Sequence, residues 1–64
     1  MRTKVIINNR EYLGKESKDN LGDAAEAIYE AIDKANKFKL NLDNGGVLIL
    51  CKEMLQKAEI ILLP

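Results

Sequence analysis

The 64 residues carry ten basic and ten acidic side chains, no His and one Cys, and are 47% hydrophobic but only 5% aromatic. One Cys excludes an internal disulfide, and one Cys without His excludes a structural zinc site. Zero net charge argues against a strong overall field for nucleic acid or an anionic membrane.

The length allows a single small α+β domain over residues 1–64, with an aliphatic core. A chain this short buries only about 60% of its unfolded surface, so a second copy is the expected supplement to its core. The first residues lack the apolar run and small-residue cleavage site of a signal peptide. No apolar run approaches the ~20 residues of a membrane span. Together with a free thiol, these features predict a cytoplasmic protein.

Thr3-Lys4-Val5-Ile6-Ile7 reads as a strand, because three of its residues are β-branched and apolar. Asn8-Asn9 suits a tight turn, since Asn tolerates the left-handed region. Arg10-Glu11-Tyr12-Leu13 then returns as a short second strand, with Val5 facing Tyr12 and Ile7 facing Arg10. Residues 14–20 form a polar loop that ends on Asn20, a candidate N-cap with Asp23 three residues on.

Residues 21–36 give the clearest helix. Leu21, Ala25, Ile28, Ile32 and Ala35 share one face of a 3.6-residue period, and Asp23, Glu26, Glu30 and Asp33 share the opposite one. Acid early and lysine late suits the helix macrodipole. Ala24, Ala27, Ala31 and Ala35 form a ridge that is either good helix propensity or a close contact with another subunit.

Residues 38–51 read as a hairpin around Asp43-Asn44-Gly45-Gly46, with a type I′ turn expected at Asn44-Gly45. A two- or four-residue loop puts Phe38, Leu40 and Leu42 on one face with Val47, Ile49 and Cys51. That face is expected to pack on the helix and to bury the thiol. Leu48 and Leu50 are expected to project from the other face. The tail is read as a short helix over 52–57 and a strand over 59–63, although Cys51, Leu55, Ala58 and Leu62 also fit one helical face. Six intervening residues are too few for a parallel crossover. The last strand must therefore pair with the N-terminal strand or with a partner chain. The expected order is β-(β)-α-β-β-short α-β, a small antiparallel sheet with one main helix on one face.

Catalytic signals are missing. There is no His to act as general base, so Cys51, at the end of an apolar strand, has no His partner. Gly14-Lys15-Glu16-Ser17 lacks the upstream glycine of a phosphate loop. The acidic stripe reads as a solvated face, so no metal and no cofactor are expected. A non-enzymatic protein follows.

Charge is nevertheless distributed in blocks. Residues 1–18 are mainly basic, residues 19–33 carry acids without a base, and Lys34, Lys37 and Lys39 follow. A helix N-terminus near bases is a ready anion site. Arg10, Tyr12, Lys15, Lys18, Asn20 and Gly22 are therefore the candidate ligand-binding residues, for a phosphate-bearing small molecule such as a nucleotide signal. Ala27, Ala31, Leu48, Leu50, Ile61 and Leu63 are the candidate interface of a homo-oligomer. In composition the chain looks like the short, compact, Lys/Asn/Ile-rich proteins that phages and other mobile elements encode. That likeness implies a stoichiometric binder, of the kind that counters host defence. The alternative is a protein–protein inhibitor or adaptor that uses its acidic helix face or its strand edges. A nucleic-acid-binding module is the third reading. It is disfavoured by the balanced charge and by aromatics limited to Tyr12, Tyr29 and Phe38.

Overall fold

The computed structural model describes residues 1–64. In chain order the elements are β1 (Arg2–Ile7), β2 (Arg10–Leu13), α1 (Leu21–Ala35), β3 (Phe38–Asn41), β4 (Val47–Leu50), α2 (Lys52–Leu55) and β5 (Glu59–Leu63). This is the expected order.

The first hairpin forms as its sequence dictates. Asn8 and Asn9 both take positive φ, 51° and 64°, the backbone of a two-residue type I′ turn. The turn sets Ile7 opposite Arg10 and Val5 opposite Tyr12. The last strand resolves its ambiguity by pairing antiparallel with β1, with Val5 opposite Ile60. The result is a three-stranded sheet in the order β2-β1-β5, beside a two-stranded sheet of β3 and β4.

A seam joins the two sheets. The Gly14 N–H extends the β1–β2 ladder to the Thr3 carbonyl at 2.7 Å, while the Lys15 N–H donates to the Asn41 carbonyl at 3.0 Å and the Asp43 N–H to the Leu13 carbonyl at 3.1 Å. Gly14 thereby bridges to Leu42. A Cβ at Gly14 would lie 2.8 Å from Leu40 Cδ1 and 3.2 Å from the Thr3 carbonyl oxygen. Glycine suits this close approach, since a larger residue would press on Leu40 and the Thr3 carbonyl.

Alternation along β1 turns Thr3, Val5 and Ile7 inward. Val5 and Ile7 join Phe38 and Leu50 in the core cluster, and Val5 and Leu50 are the largest fully buried side chains. Helix α1 supplies Ile28 and Ile32 to this core and packs against β3 and β5. It buries no residue completely. Only seven of the 64 residues are buried, so the core is small even for this length. No helix is long and apolar enough to cross a membrane.

The second hairpin departs from expectation. Phe38 pairs with Leu50, Leu40 with Leu48 and Asn41 with Val47. The Leu42 N–H donates to the Gly46 carbonyl at 2.8 Å and the Gly45 N–H to the Leu42 carbonyl at 3.2 Å. Gly45 has φ of 90°, whereas Asn44 is not among the residues with positive φ. The turn is thus a three-residue loop, Asp43 to Gly45, closed by a glycine of positive φ, and not type I′. An odd loop moves the register by one residue and exchanges the two faces of the outgoing strand. Leu48 and Leu50 therefore point into the core. Val47, Ile49 and Cys51 point out and are exposed.

Two substitutions test this packing. Gly14→Ala is expected to destabilise the fold by about 1–3 kcal/mol through overpacking at the seam. Leu50→Ala is expected to cost about 2–5 kcal/mol through the cavity it leaves. Urea unfolding followed by circular dichroism measures both.

Candidate functional site

The N-terminus of α1 is closed by its own sequence. Asn20 Oδ1 accepts from the Asp23 N–H at 2.8 Å, and Asn20 Nδ2 donates to Asp23 Oδ2 at 2.9 Å. The capping residues expected here are in place. Their pairing has a consequence for ligand binding. Asn20 uses both ends of its amide on Asp23, and the Asp23 carboxylate already supplies negative charge to the first turn. An external phosphate would have to displace it or be repelled by it.

The candidate ligand residues do not converge. Arg10 and Tyr12 line a groove with Ile7, Leu48 and Met54. Tyr12 is half-buried against the core. Lys15 lies beyond the other end of β2, on the order of 16 Å from Arg10 at about 3.3 Å per residue. It lines a different groove, of about 390 Å³, with Ser17, Asp19, Ala27, Phe38 and Lys39 among others. Glu16 also faces that groove, so two carboxylates share it with Lys15 and Lys39 without forming an ion pair with either. Lys18, Asn20 and Gly22 are exposed and line no groove. A Cβ at Gly22 would meet only Asn20 Oδ1, at 3.4 Å.

The interface residues also redistribute. Leu50 is 1% exposed and belongs to the core, and Leu48 packs against it. Neither remains available as an outward-facing pair, for the register reason given above. Ala27 is exposed beside Lys15, and Ala31 is half-buried. Ile61 and Leu63 lie on the uncovered face of the three-stranded sheet, opposite Lys4 and Arg2.

What takes the place of Leu48 and Leu50 is the pair that the odd loop turned outward. Val47 is 52% exposed and Ile49 64%. Ile49 also borders a groove of about 360 Å³ formed by Ala31 and Ala35 of α1 with Phe38. Lys37 and Lys39 stand at its rim. The chain's ion pairs are Arg2–Asp43 at 3.5 Å and Lys4–Glu11 at 2.9 Å, so both rim lysines keep their charge unpaired. This surface is an apolar strip on a strand edge, flanked by free positive charge. Its sequence signal is Asp-Asn-Gly, which serves a three-residue loop as readily as Asn-Gly serves a two-residue one.

On α1, Asp23, Glu26, Glu30 and Asp33 are all exposed, and no base of the chain is paired with them. No group of three or more His, Cys, Asp or Glu side chains converges as a metal site would require. Cys51 is exposed at the start of α2 and makes no side-chain cap bond. Comparison of the chain with protein-family models, curated proteins and solved structures finds no match.

The exchange of faces in β4 is directly measurable. Ile49→Lys is expected to change stability by less than about 0.5 kcal/mol, as substitutions at open surface do. Leu50→Lys is expected to abolish the cooperative unfolding transition, because it buries an unpaired charge. Thermal melts of the two variants check this, and the opposite ranking would restore the even-loop register.

Proposed function

We propose that the protein is a non-enzymatic binding module that engages another protein through the outer face of the β3–β4 hairpin. It acts stoichiometrically, as an inhibitor or adaptor. The observation that carries this reading is the exposure of Val47 and Ile49 on an edge strand. Exposed apolar side chains on a strand edge invite pairing with another chain. Contiguous apolar surface of this kind marks interaction sites. The free lysines at positions 37 and 39 give the partner's chemistry: an apolar anchor for the Ala31–Ala35–Ile49 groove, flanked by carboxylates. The anchor would supply the binding energy, and the charges would set orientation and association rate. The compositional likeness to short proteins of mobile elements points the same way.

A partner recovered on the immobilised protein should be lost with Val47→Asp plus Ile49→Asp, at least tenfold in Kd, while the melting temperature holds. The double change Lys37→Glu with Lys39→Glu should slow association and reduce its salt dependence. Retention of the partner by both variants would overturn the reading. If Glu26→Lys plus Glu30→Lys releases the partner instead, the acidic face of α1 is the binding surface.

A second reading has one observation in its favour. Lys15 and Lys39, from separate segments, reach the same groove beside the first turns of α1. A phosphate-bearing small ligand would bind there. Calorimetry against a panel of nucleotides should then give binding that Lys15→Ala with Lys39→Ala weakens at least tenfold. No heat from any nucleotide removes this reading.

A further inference from the structure

We propose that two copies of this chain pair through the free edge of β5, making a six-stranded sheet β2-β1-β5-β5-β1-β2 about a two-fold axis at Ile61. The hydrogen-bond phase of the three-stranded sheet leads to this register. The Gly14 N–H donates to the Thr3 carbonyl at 2.7 Å, and a two-residue turn closes on a hydrogen-bonded pair, here Ile7 with Arg10. The odd residues of β1 therefore direct their backbone groups toward β2. The even ones, Arg2, Lys4 and Ile6, direct theirs toward Leu63, Ile61 and Glu59 of β5. The backbone N–H and C=O groups of Ile60 and Leu62 are left pointing off the open edge.

An antiparallel second copy satisfies all of them in one register. With Ile61 opposite the partner's Ile61, Ile60 forms a hydrogen-bonded pair with Leu62 of the partner subunit, and the two-fold axis repeats the bond pair in reverse. Centring on Ile60 or Leu62 instead leaves one of these residues with nothing in β5 to face. Charge agrees with the same register. Glu59, the one charged residue of β5, comes beside Leu63 of the partner subunit, in the same row as the partner's Arg2. Glu59 thus lies two strands from the partner's Arg2, which is paired with Asp43 within its own chain, and no like charges are set opposite each other along the edge.

Apart from Glu59 at its start, the side chains of β5 are apolar on both faces. On the helix side, Ile60 and Leu62 line a groove of about 160 Å³ with Ala25, Ile28, Tyr29 and Ile32, and every lining residue is hydrophobic. Tyr29 stands at this groove and is 69% exposed. On the other face, Ile61 and Leu63 lie opposite Lys4 and Arg2 of β1, with no element packed over them. An edge strand of this composition carries no lysine and no inward charge to repel a copy of itself. The surface is distinct from the β4 face, so the pairing stands or falls independently of the function proposed above.

Non-hydrogen-bonded antiparallel pairs hold Cα atoms about 4.5 Å apart, within the span of a disulfide. In a Cys51→Ser background, Ile61→Cys should therefore form a covalent dimer under mild oxidation. An Ile49→Cys control should do so at least tenfold more slowly. Light scattering on the unmodified protein should give a dimer mass at micromolar concentration. Ile61→Lys, which sets two ammonium groups face to face on the axis, should raise the dimer Kd at least tenfold with the circular dichroism spectrum unchanged. A monomer mass at 100-fold higher concentration would overturn the proposal. So would a dimer that resists Ile61→Lys, or cross-linking at Ile61→Cys no faster than at Ile49→Cys.

Discussion

The fold depends on the seam at Gly14. Two sheets, one of three strands and one of two, can share a core only if something fixes their separation. Two backbone hydrogen bonds do so, from the Lys15 N–H to the Asn41 carbonyl and from the Asp43 N–H to the Leu13 carbonyl, on either side of Gly14. The Arg2–Asp43 ion pair, half-exposed, lies over the same region and adds little of its own. With the seam closed, β1 and the β3–β4 hairpin face each other, and Val5 meets Leu50 in the core cluster. Helix α1 then closes the side between β3 and β5. The absence of a Cβ at Gly14 is what permits this approach.

Much of this was legible in the sequence wherever a local rule had no competitor. Asn8-Asn9 left one economical turn, and the strand pairing around it followed residue by residue. The helix showed itself through its period and its cap, and Asn20 and Asp23 pair as their spacing implies. For the last strand, a short connection forbade a parallel crossover and left the N-terminal strand or a partner chain; of the two, it lies against β1.

What was not legible turns on a single residue of register. Asp43-Asn44-Gly45-Gly46 is compatible with even and odd loops, and both put a glycine where φ is positive. Leu48, Ile49 and Leu50 are all apolar, so the pattern of β4 could not choose between them. Packing chose: Phe38 opposite Leu50 puts two large side chains against Val5 and Ile7. The cost of that choice is the exposure of Ile49. The dispersion of Arg10 and Lys15 was hidden for a different reason. Sequence proximity suggested a cluster, but an extended strand separates residues faster than any other element. A helix would have kept them within two turns.

The surplus apolar surface that first suggested an assembly keeps its place on β5 but moves on β4 from Leu48 and Leu50 to Val47 and Ile49. It lies at the two ends of the strand succession, on the open edge of β5 and on the outer face of β4. The two surfaces differ in what they suit. Along β5 the open backbone groups of Ile60 and Leu62 are self-complementary under a two-fold axis, which favours an identical chain. Beside β4 the charges at the groove rim are of one sign, Lys37 and Lys39, and a copy of the same surface would repel them. A chain joined through β5 thus keeps its β4 face free for a different, acidic partner. It also presents that face twice, on a spacing set by the dimer. Against a partner that itself carries two matching sites, the second contact becomes intramolecular, and weak individual contacts combine into tight binding if the spacing matches. For a chain with so small a core, this division links stability to function, because the edge that completes the sheet is also the one that makes the module bivalent.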